Sequence, residues 1–190
     1  PASAREAEDT RHESVPSSGW TGMVKLEVQD VMISTLYEEG SVVDSIFDEI
    51  PVHAGLVLEG PNGTALARRM SDASARLVPN DQEAFGIRGR SAEQRIALDI
   101  LLDPQVGIVS MGGRAGTGKS ALALCAGLEA VMERQLHKKV MVFRPLYAVG
   151  GQDLGYLPGD EGDKMAPWGQ AVLDTLTSVT NNYVIEEVMS

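Results

Sequence analysis

The second half of the chain predicts an α/β fold with a parallel sheet, and three consecutive stretches carry that prediction. Val106-Gly107-Ile108-Val109-Ser110-Met111 is a short apolar run with the length and β-branched content of a buried strand. Gly113-Arg114-Ala115-Gly116-Thr117-Gly118-Lys119-Ser120 then reads G-x-x-x-x-G-K-S, a glycine-rich turn between strand and helix. Residues 121–135 follow as a helix that is apolar on most faces, through Ala121, Leu122, Ala123, Leu124, Cys125, Ala126, Leu128, Ala130, Val131 and Met132. A helix of that kind is expected beside a parallel sheet covered on both faces.

The octapeptide is a phosphate-binding loop. Its glycines let the backbone turn N–H groups toward an anion, which then sits at the N-terminus of the following helix, where unsatisfied donors and the helix dipole favour negative charge. Lys119 is expected to neutralise the β- and γ-phosphates as a point charge, and the Ser120 hydroxyl to hold Mg2+. Backbone amides from Gly116 to Lys119 would cradle the oxygens, and Arg114 either adds positive potential or pairs with a carboxylate. The expected ligands are ATP and Mg2+.

The 190 residues are enough for one domain, or one and part of another, and 43% hydrophobic residues is ordinary for a globular protein. No apolar stretch reaches the roughly 18 residues of a membrane span, and residues 1–18 carry no signal-like apolar core. The single cysteine, Cys125, falls on the predicted buried helix and reads as a small core residue in a cytoplasmic protein. A net charge of -11 argues against a broad nucleic-acid-binding face and leaves room only for a local contact.

Residues 1–19 mix small, charged and Ser/Pro residues without periodicity and read as a linker or disordered tail. A first residue other than Met fits a piece of something longer or a processed start. Residues 20–88 read as a small β-rich module. Residues 23–28 alternate as a strand, and Asp30 is placed to cap a short helix that stops at Gly40. Residues 55–59 and 64–68 form a hairpin around Gly60-Pro61-Asn62-Gly63, and Arg76-Leu77-Val78 adds a further strand. Residues 89–190 are the P-loop domain, read as its N-terminal, truncated part. It comprises a helix over 91–102, the strand, loop and helix above, closing positive charge at His137-Lys138-Lys139 and a second buried strand at 140–143. A long Gly/Pro-rich loop then covers 144–169, and a helix starts at 170–177.

Several motifs converge on one family. The loop at 113–120, Phe143-Arg144-Pro145, and Leu154-Gly155-Tyr156-Leu157-Pro158-Gly159-Asp160 with Lys164 resemble PhoH-family ATPases. Ser91-Ala92-Glu93-Gln94-Arg95 and the run from Arg144 to Gly151 are most similar to the branch in which a PIN ribonuclease domain precedes the ATPase. The resemblance covers about residues 20–190. It implies a helicase-like ATPase core that couples ATP hydrolysis to RNA unwinding or processing in the full-length protein. The partners it implies are ATP and RNA, and a homo-oligomer is expected, with no membrane. No PIN-type acidic cluster is assignable in this chain, and Glu186-Glu187 follows only two apolar residues, Val184-Ile185. The family's Mg2+-holding aspartate and water-activating glutamate are therefore not identified, and the chain is expected to bind ATP better than it hydrolyses it.

In similar ATPases a glutamine ahead of the loop reads adenine, because an amide donates to and accepts from the base together; Gln94 fits that place. Ser91-x-x-Gln94 is equally a capping box, and both readings stand. Arg144 and Pro145, at a strand's carboxyl end, suit an RNA phosphate, with Tyr147 or Tyr156 stacking on a base; a strand-end cap with packed tyrosines is the alternative. Asp160, Glu161 and Asp163 lack the ligand count of a calcium site, and His12, His53 and His137 have no ligand spacing. Two other functions use the same loop: a non-catalytic nucleotide-binding module with a conformational output, and a small-molecule kinase.

Overall fold

The computed structural model describes residues 20–143 together with Asp174 and Thr177, and the chain divides into two compact units after Leu77. In the first unit, strand β1 (Met23–Glu27) leads into helix α1 (Asp30–Glu39). Strand β2 (Ser41–Val43) and a single 3₁₀ turn at Ser45–Phe47 follow, then strands β3 (Gly55–Glu59), β4 (Thr64–Arg69) and β5 (Ser74–Leu77). They form one five-stranded sheet in the order β1-β3-β4-β5-β2. β1 and β3 are parallel across the connection that contains α1, and every other neighbour pair is antiparallel.

Alternation along the strands builds the core of this unit. Leu56 and Leu58 lie two apart on one face of β3, and their register partners on β4 are Ala67 and Ala65. All four are buried with Ile33 and Leu36 of α1. Large residues on one strand opposite alanines on the next leave room for the helix to settle on the sheet. The helix is also tied by polar contacts. Asp30, expected as the cap, is instead the first helical residue, and the capping position is Gln29 without a side-chain bond. The Asp30 carboxylate accepts from the Asn62 backbone at 3.1 Å and from the Asn62 amide, and seven residues on, the Tyr37 hydroxyl donates to the Thr64 carbonyl at 3.2 Å. A carboxylate reaching two donors in the 60–63 turn outcompetes local capping, so Asp30 clamps the hairpin. Gly40 ends the helix as expected, its N–H bonded to the Leu36 carbonyl at 3.0 Å.

The second unit opens with a hairpin that the sequence pattern grouped with the β-rich module: strands β6 (Glu83–Ala84) and β7 (Ile87–Arg88). Its two-residue turn puts Phe85 and Gly86 at φ 46° and 82°, the turn geometry that matches strand twist. Helices α2 (Ala92–Leu101) and α3 (Lys119–Leu128) follow. Leu98 and Leu102 from α2 and its cap meet Leu122 and Ala126 of α3 and Ala84 of the hairpin in one buried cluster.

Four expectations for this unit are corrected. Residues 106–111 are not a buried strand: they have no sheet assignment, and Ile108 is 92% exposed. Residues 140–143 are likewise outside any sheet, with Phe143 84% exposed, although Val140 packs beside Gly127 of α3. A parallel strand is held by ladder partners on its edges and cover on both faces, and the described residues supply neither to these runs. The helix at 121–135 is accordingly not apolar toward protein all round. It buries Leu122, Cys125, Ala126 and Leu128 and leaves Ala123 exposed. It also ends earlier, widening into a π-helical turn at Glu129–Glu133, so His137-Lys138-Lys139 lie beyond it. Arg134 supplies the closing positive charge instead, donating to the Leu102 carbonyl at 3.1 Å and pairing with Glu129 at 3.1 Å. Of the helix expected at 170–177, Asp174 and Thr177 are described, and both are helical.

The clamp at the first helix gives a direct test. Asp30→Ala removes two hydrogen bonds from the 60–63 turn and is expected to lower the stability of the protein by about 1–2 kcal/mol. The check is the midpoint of chemical denaturation, and an unchanged midpoint would show that the turn does not depend on this carboxylate.

Candidate functional site

The phosphate loop lies between the end of α2 and the start of α3. Gly118 is the residue before the helix, at φ 86°, and Gly116 stands at φ 76°. These left-handed conformations are open to glycine at little cost. Around Gly116 nothing lies within 4 Å of where a Cβ would be, and at Gly113 the nearest atom is the Thr117 Oγ1 at 3.8 Å. The backbone at these two glycines therefore has open space beside it.

Lys119, in the first turn of α3, folds over the loop. Its Nζ donates to the Gly113 carbonyl at 2.9 Å, the Arg114 carbonyl at 2.7 Å and the Thr117 Oγ1 at 3.3 Å. The Thr117 hydroxyl in turn donates to the Arg114 carbonyl at 2.9 Å. The ammonium is thus held above the cradle by three acceptors, all of which a phosphate oxygen could replace. Arg114, Ala115, Thr117 and Ser120 are exposed, and Ser120 is the second residue of α3. A glycine-rich loop leading into an exposed helix N-terminus, with a lysine ammonium beside it, is an arrangement that suits a polyphosphate. For Mg2+ the fit is partial. Ser120 offers one hydroxyl ligand, and among the described residues no cluster of three His, Cys, Asp or Glu side chains could complete a metal site.

Gln94 connects α2 to this loop. The Ser91 hydroxyl caps α2 by accepting from the Gln94 N–H at 3.3 Å, as the capping reading expects. The Gln94 side chain does not complete the box on Ser91. Its Oε1 accepts from the Arg90 N–H at 2.8 Å, and its Nε2 donates to the Thr117 carbonyl at 3.1 Å. The bond to Thr117 had no signal in the sequence, because 23 residues separate the partners. The Ser91 hydroxyl also holds the Glu93 carboxyl below its ordinary value. Its charged form is favoured in the fold, a contribution present at neutral pH and lost as pH falls through that lowered value. Arg144 and Pro145, with the motif at 154–164, lie outside the described residues.

The opposite end of α3 is pinned by Glu129, whose two carboxylate oxygens accept from the Phe85 N–H at 3.0 Å and from Arg134 at 3.1 Å. Between the two ends, Cys125 is fully buried, and that burial pushes its thiol up to about 11. It behaves as a core residue, as expected. Because the thiolate is the reactive form, the native protein is expected to react very slowly with a disulfide reagent at pH 8, and the denatured protein rapidly. Fast native labelling would contradict this packing.

The family described as PhoH-like protein matches residues 86–190. Protein PhoH2 of Thermobispora bispora is 62% identical over 183 residues, which cover 96% of this chain and 42% of that protein. Protein PhoH2 of Mycolicibacterium smegmatis is 55% identical, covering 97% of this chain and 42% of its own length. Protein PhoH2 of Bacillus subtilis is 32% identical, over 85% and 38% respectively. The chain thus spans about two fifths of the length of these relatives. No solved structure matches. Among the described residues no helix is long and apolar enough to cross a membrane. With the phosphate loop built as described and the family match spanning it, the chain belongs to the PhoH-like family, a P-loop family of ATPase type.

Proposed function

We propose that this chain is the ATP-binding part of a PhoH-like ATPase, and that in the full-length protein ATP hydrolysis is coupled to RNA unwinding or processing. The observation that carries the nucleotide reading is the loop at 113–120 seated on the N-terminus of α3, with Lys119 folded across it. A triphosphate entering this cradle would take over the Lys119 ammonium and the N–H groups from Gly116 to Lys119. Ser120 would hold Mg2+, which when bound neutralises charge on the phosphate oxygens.

The RNA part of the reading, like a PIN domain ahead of this segment, rests on the motif resemblance at Arg144-Pro145 and 154–164. The span of about two fifths of the relatives is compatible with further domains in the whole protein. RNA-stimulated phosphate release by the full-length protein supports the reading. Turnover that depends on a soluble acceptor would favour a kinase, and binding with a change of assembly but no phosphate release would favour a conformational module.

Lys119→Ala tests the nucleotide site itself. It removes the only side-chain cation that crosses the described loop by hydrogen bonds, and is expected to weaken ATP binding by about 100-fold or more, equivalent to a charge-assisted contact of roughly 3 kcal/mol. The fold should survive, because no buried side chain is altered. Titration calorimetry with MgATP measures it, and parent-like affinity in the variant would remove the assignment.

A further inference from the structure

We propose that Gln94 is a positioning residue of the phosphate loop: its amide fixes the Thr117–Gly118 peptide and so sets affinity for a triphosphate whatever base it carries. The inference rests on the nucleotide-binding reading above.

The amide has one orientation available. The Arg90 N–H can only donate and the Thr117 carbonyl can only accept, so Oε1 must face the first and Nε2 the second. The peptide it holds is trans, as all in the described chain are. Carbonyl and N–H of a trans peptide point in opposite directions. Drawing the Thr117 carbonyl toward α2 therefore turns the Gly118 N–H to the side away from Gln94. Nothing in the backbone alone fixes that choice, because Gly118, at φ 86°, sits where glycine moves freely. The amide packs directly on this peptide: a Cβ on Gly118 would lie 3.3 Å from Nε2. Were the bond to Thr117 absent, the peptide could rotate and present a carbonyl where an anion needs a donor, turning an attractive dipole into a repulsive one.

The same geometry separates this role from base reading. Both ends of the amide are engaged by backbone groups, so recognition of a purine edge would require breaking two hydrogen bonds to make two. A positioning role makes no distinction among bases, and it acts on a ligand with no base at all.

The experiment uses the 190-residue chain and measures affinity by calorimetry for MgATP, MgGTP and inorganic triphosphate with Mg2+. Gln94→Met removes donor and acceptor without adding charge. Gln94→Glu keeps the acceptor for Arg90 and places an oxygen against the Thr117 carbonyl. The Ser91 cap bond uses the Gln94 backbone N–H and survives both changes. Both variants are expected to weaken all three ligands by a similar factor, about tenfold for Gln94→Met, the equivalent of one hydrogen bond at the upper end of its range, and more for Gln94→Glu. Loss confined to ATP would overturn the proposal in favour of adenine reading. A lowered unfolding midpoint with unchanged affinities would overturn it in favour of a cap alone. If the parent binds none of the three ligands, the nucleotide reading falls and takes this inference with it. Parent binding that depends on Lys119 but not on Gln94 would sink this inference only.

Discussion

The packing of α2 on α3 is the constraint on which the site depends. Leu98 and Leu102 are four residues apart on one helix and its cap, and Leu122 and Ala126 are four apart on the other, so each helix offers a single apolar stripe. Fully burying a leucine side chain contributes about 1.5–3 kcal/mol, more than a typical neutral hydrogen bond such as the one from Gln94 to Thr117. The seam thus sets the separation of the two helix starts, and the polar contacts follow from it. Once the starts are fixed, a glutamine in the first turn of α2 reaches the carbonyl just ahead of α3. The loop is positioned from outside itself, which suits a segment whose own glycines leave it free to deform.

The far end of the seam is closed by charge rather than by apolar area. Glu129 accepts from a backbone N–H of the β6–β7 turn and from Arg134, and Arg134 takes up the Leu102 carbonyl that α2 leaves free. The turn needs this support because Phe85 holds φ 46°, a conformation that costs a bulky residue and that asparagine or glycine would adopt more readily. A carboxylate bonded to its N–H offsets that strain. Widening of the helix at Glu129–Glu133 accompanies the arrangement, since a π turn is one of the ways a helix re-aims a side chain at its end.

Much of this was legible in the sequence where a local pattern determines the structure. The strand at 23–27 lies where alternation put it, those at 55–59 and 64–69 lie where the tight turn at 60–63 put them, and helix α2 begins at the Ser91 cap. The glycines of 113–120 were legible as a backbone requirement written in residue type, and Gly113, Gly116 and Gly118 all take positive φ. What failed depended on partners. Residues 106–111 and 140–143 have the composition of buried strands, yet composition expresses only a preference for being covered, and the described chain does not cover them. Asp30 had the type and place of a cap, but two donors 32 residues away decided its role. The dual use of Gln94 was invisible for the same reason: the capping pattern is local, and the bond to Thr117 is not.

A net charge of -11 is no obstacle to the proposed anion site, because the reach of a charge in salt water is short. At physiological ionic strength an exposed charge is largely screened beyond about 8 Å, so net charge decides little at a loop where Lys119 and the first amides of α3 would meet a ligand at contact. What opposes ligand entry is local as well. The Lys119 ammonium already satisfies itself on two carbonyls and a hydroxyl, and a ligand must replace those three acceptors to claim it. A single phosphate oxygen exchanges one strong contact for three and gains little. A magnesium-bound triphosphate would bring several oxygens to the same point, so on the proposed reading the three acceptors of Lys119 would favour a polyphosphate over a simple anion.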